Sequence, residues 1–151
     1  MKSYRRILVP IFSNGQSDSL LHALQDAVDT RQAQVRVVRL IEPSSFADTD
    51  GPAAAFLPEE TAARRAPAVT RQLELQLSRM NLGWVEAQVI WRQPREKLNE
   101  IIHAWQPDLV IASRRHPPVD VPADVDVLTT SGRGFLHRLT DIFFPPIPTH
   151  A

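Results

Sequence analysis

Apolar and polar positions alternate between two periods along this chain, and the alternation predicts strands separated by helices. Arg5-Arg6-Ile7-Leu8-Val9-Pro10-Ile11 is a short, nearly all-apolar run that stops at the polar stretch Ser13-Asn14-Gly15-Gln16-Ser17-Asp18-Ser19. A strand apolar on both faces is buried on both faces. Leu20, Leu21, Leu24, Ala27 and Val28 then recur at helical spacing, predicting a helix from Ser17 to Arg31 with Ser17 as its N-cap. Gln34 to Ile41 reads as a second strand, and Pro43 to Leu57, rich in Pro, Ala, Ser and Asp, as a long loop. Ala62, Ala66, Val69, Leu73, Leu77 and Met80 predict a second helix starting near Pro58. Pro67 should kink or interrupt it, and Gly83 should end it as a left-handed cap. Trp84 to Trp91 alternates with one more polar face, as a strand near a sheet edge does. A third helix runs from Pro94 to before Pro107, burying Leu98, Ile101, Ile102 and Trp105. Asp108-Leu109-Val110-Ile111-Ala112-Ser113 is again apolar throughout, as a fourth, central strand.

The rhythm then breaks. Pro117 to Val127 is an extended acidic segment, an edge ribbon or loop, because its prolines bar it from a central strand. Thr129-Thr130-Ser131-Gly132-Arg133-Gly134 precedes a last helix built on Phe135, Leu136, Leu139, Ile142 and Phe143. Pro145 to Ala151 leaves room for a stub of a fifth strand. The expected fold is α/β: a doubly wound, mainly parallel five-stranded sheet with helices on both faces, Rossmann-like, in one domain over residues 1–151, its last strand shortened.

Composition narrows the function classes. The chain of 151 residues has no cysteine, which excludes disulfides, thiolate catalysis and cysteine-ligated zinc. Lys+Arg and Asp+Glu are both 17, so nothing electrostatic favours nucleic acid or an anionic membrane. The first apolar run is shorter than a signal-peptide core, and no run approaches the roughly 18 residues of a membrane span. A cytoplasmic protein is the expectation. The five histidines form no close helical pair of the kind zinc sites use, so no metal is expected. Neither a P-loop, nor Gly-x-Gly-x-x-Gly after the first strand, nor a Gly-x-Ser-x-Gly elbow occurs. No nucleophile–base pair emerges, and no enzymatic activity is expected.

Ligands of such folds bind beyond the carboxyl ends of the strands. Three candidates lie there: the Ser13–Ser19 loop, the Arg114-Arg115-His116 turn, and the Ser131-Gly132-Arg133-Gly134 nest. Each has a plainer use, as a capped helix start, a solvated basic patch and a glycine-rich turn. Asp120, Asp124 and Asp126, if folded over the crevice, would repel a polyphosphate. A flavin-type electron carrier would rest on the hydroxyl-rich first loop alone. A response regulator lacks its aspartate, since the third strand ends in Trp91-Arg92.

Taken together, Arg6-Ile7-Leu8-Val9-Pro10, Pro107-Asp108-Leu109-Val110-Ile111-Ala112-Ser113 and Ser131-Gly132-Arg133-Gly134-Phe135-Leu136-His137-Arg138-Leu139 resemble the universal stress protein family. The third-helix start at Pro94-Arg95-Glu96-Lys97-Leu98 and the Phe144-Pro145-Pro146-Ile147-Pro148 segment are similar too. The resemblance implies a five-stranded parallel sheet of the adenine nucleotide alpha hydrolase-like kind, usually homodimeric. It also implies ATP or AMP as the ligand of many members, held between the ends of the first and fourth strands. A retained site would use Pro10, Ile11, Ser13, Ile41, Ala112, Ser113, Arg114, Gly132, Arg133 and Gly134.

The sequence departs from that pattern in three places. Pro10-Ile11-Phe12-Ser13 lacks the aspartate that binders place after the first strand. Ala112-Ser113-Arg114-Arg115-His116 lacks glycine, and Leu139-Thr140-Asp141-Ile142-Phe143 lacks the later Gly-Ser/Thr pair. The reading is therefore a non-catalytic stress-response protein acting through a protein partner, without ATP bound in the usual family way. The alternative is an ATP- or AMP-binding sensor with a modified phosphate site. The short fifth strand also weakens the ladder through which family homodimers often pair.

Overall fold

The computed structural model describes residues 3–12, 14–28, 32–42, 58–118, 120–130 and 136–138. Its elements run β1 (Arg6–Ile11), α1 (Asn14–Ala27), β2 (Gln34–Leu40), α2 (Pro58–Arg79), β3 (Glu86–Ile90), α3 (Pro94–Trp105), β4 (Leu109–Ser113), β5 (Asp126–Thr130) and β6 (Leu136–Arg138). They form one sheet in the order β3-β2-β1-β4-β5-β6. β1 to β5 are mutually parallel, and β6 pairs antiparallel to β5. The expected doubly wound, mainly parallel α/β architecture is what the chain adopts.

Burial explains the order. β1 and β4 are the most apolar runs and sit side by side in the middle, where both faces are covered. Ile7, Val9, Ile11, Leu109 and Ile111 face α1 and α2, packing on Leu20, Leu21, Leu24, Leu73 and Leu77. Leu8, Val110 and Ala112 face the other way, onto Leu98 and Ile102 of α3. The more polar β3 takes the edge.

Five sequence expectations are corrected. Helix α1 begins at Asn14, so Ser17 is not its N-cap; it lies inside the helix, buried, with its hydroxyl accepting from Gln76 Nε2 at 3.3 Å. Pro67 does not interrupt α2, which runs 22 residues through it. The carbonyl that loses its donor belongs to Ala63, and both residues are on the exposed face, where water can take over the bond. Gly83 does not cap α2. Asn81, at φ 58°, does, with Leu82 N–H donating to Leu77 O at 2.7 Å and Asn81 N–H to Ser78 O at 3.2 Å. That pair of bonds is a Schellman cap, and asparagine tolerates its left-handed position.

The fourth correction concerns the fifth parallel strand, which is Asp126–Thr130 and spans the end of the acidic segment and the Thr129-Thr130 pair. The prolines that argued against a strand all precede it. In the connection from β4, Val121 and Val125 pack on the α3-side core. Asp126 therefore starts at the amino edge of the sheet, where it accepts from Tyr4 Oη at 2.8 Å, and Asp124 lies just before it. Neither carboxylate covers the carboxyl edge. The fifth concerns the expected last helix at 135–143: Leu136–Arg138 within it is strand β6, paired antiparallel with β5, while the rest of that helix and the stub at 145–151 lie outside the described residues.

Candidate functional site

The sheet order reverses direction between β1 and β4, and ligands of such sheets bind at the carboxyl edge of that switch point. Pro10 parts the two strands there. Arg6 O accepts from Asp108 N–H on the β4 side, and Arg5 O from Gln34 N–H on the β2 side. Alternation along the strand then turns position 10 toward β4. Proline has no N–H to offer there. The β1–β4 register accordingly spans only Ile7↔Leu109 and Leu8↔Val110, while β1 stays paired with β2 as far as Ile11↔Arg39.

Of the residues expected from the sequence, Pro10, Ile11, Ile41, Ala112 and Ser113 come together at this edge and are all buried. Arg114 follows them and is exposed. Ser13, Gly132, Arg133 and Gly134 lie outside the described residues.

The turn after β4 uses its own donors. Arg114 N–H donates to Thr130 O at 3.1 Å, Arg115 N–H to Ser113 Oγ at 3.2 Å, and His116 N–H to Ser113 O at 3.1 Å. Three successive amides that could have formed an anion nest are thus bonded within the protein. With no glycine available, the turn tightens around the Ser113 hydroxyl.

Side chains close over the same edge. The ring of Phe12, just past β1, stacks on the His116 imidazole with centroids 5.0 Å apart and planes 19° from parallel. The Arg95 guanidinium, from the first turn of α3, sits 5.3 Å from the Phe12 centroid. Arg95 Nη2 also meets Glu42 Oε1, just past β2, at 2.9 Å. That contact is an ion pair at a half-open position, worth no more than about 1 kcal/mol, so its role is to hold Arg95 over the ring. The His116 Nδ1 atom is buried and has no hydrogen-bond partner among the described residues.

Arg39 was not anticipated. Its Nη1 donates to Leu40 O at 2.6 Å and to Ile11 O at 3.3 Å, joining the ends of β2 and β1. Burial lowers its pKa from the ordinary guanidinium value. The signal for it was a charge interrupting the apolar run Val37-Val38-Arg39-Leu40-Ile41. Glu42 and Arg95 left no comparable signal, because their meeting depends on the fold. Replacing Arg39 with Met should lower unfolding free energy by about 1–3 kcal/mol, since two strand-end carbonyls lose their donor. An unchanged urea midpoint would show that these bonds contribute nothing.

Among the described residues, no group of three or more His, Asp or Glu is placed to hold a metal ion. No helix among them is long and apolar enough to cross a membrane.

A family model described as the universal stress protein family matches residues 3–120, from before β1 into the β4–β5 connection. Among solved structures, the chain is similar to a universal stress protein family member from Burkholderia pseudomallei, with 19% identity, TM-score 0.54, and coverage of 86% of this chain and 98% of that one. It is also similar to the universal stress protein UspA from Lactobacillus plantarum, with 17% identity, TM-score 0.53, and coverage of 87% and 89%. At these identities the likeness speaks for the fold. Among curated proteins, no match to the sequence emerges.

Proposed function

The chain belongs to the universal stress protein family, and on that premise we propose that it is a non-catalytic stress-response protein that acts through protein contacts and does not bind ATP in the usual family way. The observation that carries this reading is the turn after β4. The N–H groups of Arg114, Arg115 and His116 are committed to Thr130 O, Ser113 Oγ and Ser113 O. A phosphate arriving there would have to break these bonds before making its own. That cost offsets most of what an amide cradle contributes.

The Phe12 position supports the same reading. Where binders of the family place an aspartate, this chain puts an aromatic ring stacked on His116 and covered by Arg95. The ring takes up the space beside the β1 end and offers no acceptor to a nucleoside.

The alternative is an ATP- or AMP-binding sensor. One observation favours it: Pro10, Ile41, Ala112 and Ser113 still share the carboxyl edge of the sheet, with the exposed Arg114 beside them. In that reading Ser13, Gly132, Arg133 and Gly134 would supply the phosphate contacts, and arginine the charge-assisted bonds.

Calorimetric titration with ATP and with AMP, with and without magnesium at physiological salt, separates the two. The expected result is no binding heat and no thermal shift. Micromolar affinity, abolished by Arg114→Ala, would overturn the proposal and establish the sensor.

A further inference from the structure

Strand β3 is an open edge of a kind that most sheets protect. It ends the sheet order, and among the described residues no strand pairs with its outer side. Ile90 O accepts from Ile41 N–H at 2.9 Å, so Ile90 faces β2. Alternation along a parallel ladder turns Gln88 and Glu86 the same way and leaves the N–H and C=O groups of Ala87 and Val89 pointing outward. Natural edges are usually guarded by proline, lysine or a bulge. Glu86-Ala87-Gln88-Val89-Ile90 contains neither of those residues, and its one charge, Glu86, is engaged by Arg36 Nε at 3.1 Å. The strand is continuous, with an unbroken register to β2.

Beside this edge lies a cavity of about 380 Å³, walled by Val89, Ile90 and Trp91 on the strand side and by Ile101 of α3. The indole N–H of Trp91 is buried and has no acceptor among the described residues. The rim carries Arg92, Lys97 and Glu100. Lys97 and Glu100 offset each other at 3.4 Å, which leaves Arg92, exposed and with no partner among the described residues, as the net charge.

These features specify an occupant. The outward amides and carbonyls match another extended backbone, the apolar cavity matches an alternate side chain, and the cationic rim matches a carboxylate. We propose that the β3 edge binds an extended, acidic peptide segment of a partner protein, which adds a strand beside Ala87 and Val89. One of its apolar side chains enters the cavity against α3, and a neighbouring Asp or Glu pairs with Arg92. The proposal rests on the protein-contact reading above and names the partner's chemistry.

The test uses the full chain and fluorescein-labelled heptapeptides in which Val or Leu alternates with Glu, read by fluorescence anisotropy at physiological salt. Micromolar binding is expected. Val89→Pro removes an outward N–H without touching the β2 ladder, and should weaken binding by about tenfold or more. Arg92→Glu should weaken it similarly and shift preference toward peptides with Lys in place of Glu. Methylating alternate peptide amides should abolish binding in one of the two phases, which tests strand addition even if Val89→Pro fails to fold. Absence of binding overturns the proposal. So does binding indifferent to both N-methylation and Arg92→Glu. A dimer of the free chain that Val89→Pro dissolves in sedimentation would assign the edge to a second copy and overturn it as well. Nucleotide binding by calorimetry would overturn the function proposed above while these peptide results still decided the edge.

Discussion

Truncating Ile111 to alanine should lower the free energy of unfolding by about 2–5 kcal/mol. Ile111 is fully buried in the middle of β4, one of the two strands covered on both faces. Its side chain belongs to the core that α1 and α2 share with β1, β2 and β4. Removing three carbon atoms there forfeits transfer free energy and leaves a space the neighbours cannot close, because they are held from two helices and three strands. The urea midpoint should fall while the slope of the transition stays constant, since the surface exposed on unfolding hardly changes. Leu75→Ala is the control: Leu75 is 50% exposed on α2, and its loss should cost less than about 0.5 kcal/mol. Equal effects at the two positions would mean that the sheet face under α1 and α2 is not a packed core.

Asp108→Ala should lower the free energy of unfolding by about 1–3 kcal/mol, as much as the loss of Arg39. The Asp108 carboxylate accepts from the backbone N–H of Arg5 at 2.8 Å and of Arg6 at 2.9 Å. Its own N–H donates to Arg6 O at 2.9 Å, and its carbonyl accepts from Asp126 N–H at 3.1 Å. One residue therefore ties the starts of β1, β4 and β5 at the amino edge. The side-chain bonds are charge-assisted, which raises their value, but they are exposed to solvent, which lowers it. Asp108→Asn keeps one acceptor oxygen and should lose roughly half as much as the alanine variant. If the two variants unfold at the same midpoint, a single remaining acceptor oxygen contributes nothing and the clamp needs the charged, two-oxygen carboxylate. If neither shifts the midpoint, the clamp is dispensable.

The position of β5 shows where local pattern stops being informative. Asp126-Val127-Leu128-Thr129-Thr130 reads as the tail of an acidic segment running into a glycine turn, because Asp and Thr look like loop residues in isolation. Beside β4 the same residues bury Val127, Thr129 and Thr130. β-propensity measures how a side chain fits its neighbours across the sheet, and those neighbours are supplied by β4. The α2 cap is a similar case. Glycine is the commoner choice for the left-handed position, yet the Schellman bonds fall two residues earlier, on Asn81. The last buried stripe residues, Leu77 and Leu82, set where the turn closes.

The shared carboxyl edge of β1, β2 and β4 was legible in the chain because it consists of strand ends. Once β1, β2 and β4 are recognised as parallel strands, Pro10, Ile11, Ile41, Ala112 and Ser113 must share one edge. The closure over it was not. Phe12, Arg95 and His116 come from three separate loops and helix starts, and Glu42 from a fourth. No period links them.

By itself, then, the sequence determined the alternation of strands and helices, the two central strands, the edge character of β3, and the absence of a glycine cradle after β4. Each of these follows from the burial or backbone freedom of neighbouring residues, which local periodicity records. Tertiary structure alone decided which segment became the fifth strand, how Pro10 parts β1 from β4, and where the amides of Arg114, Arg115 and His116 spend their hydrogen bonds. Those outcomes depend on partners far along the chain. Their selection rests on packing and on the need to satisfy every buried donor and acceptor, neither of which leaves a mark on the local pattern.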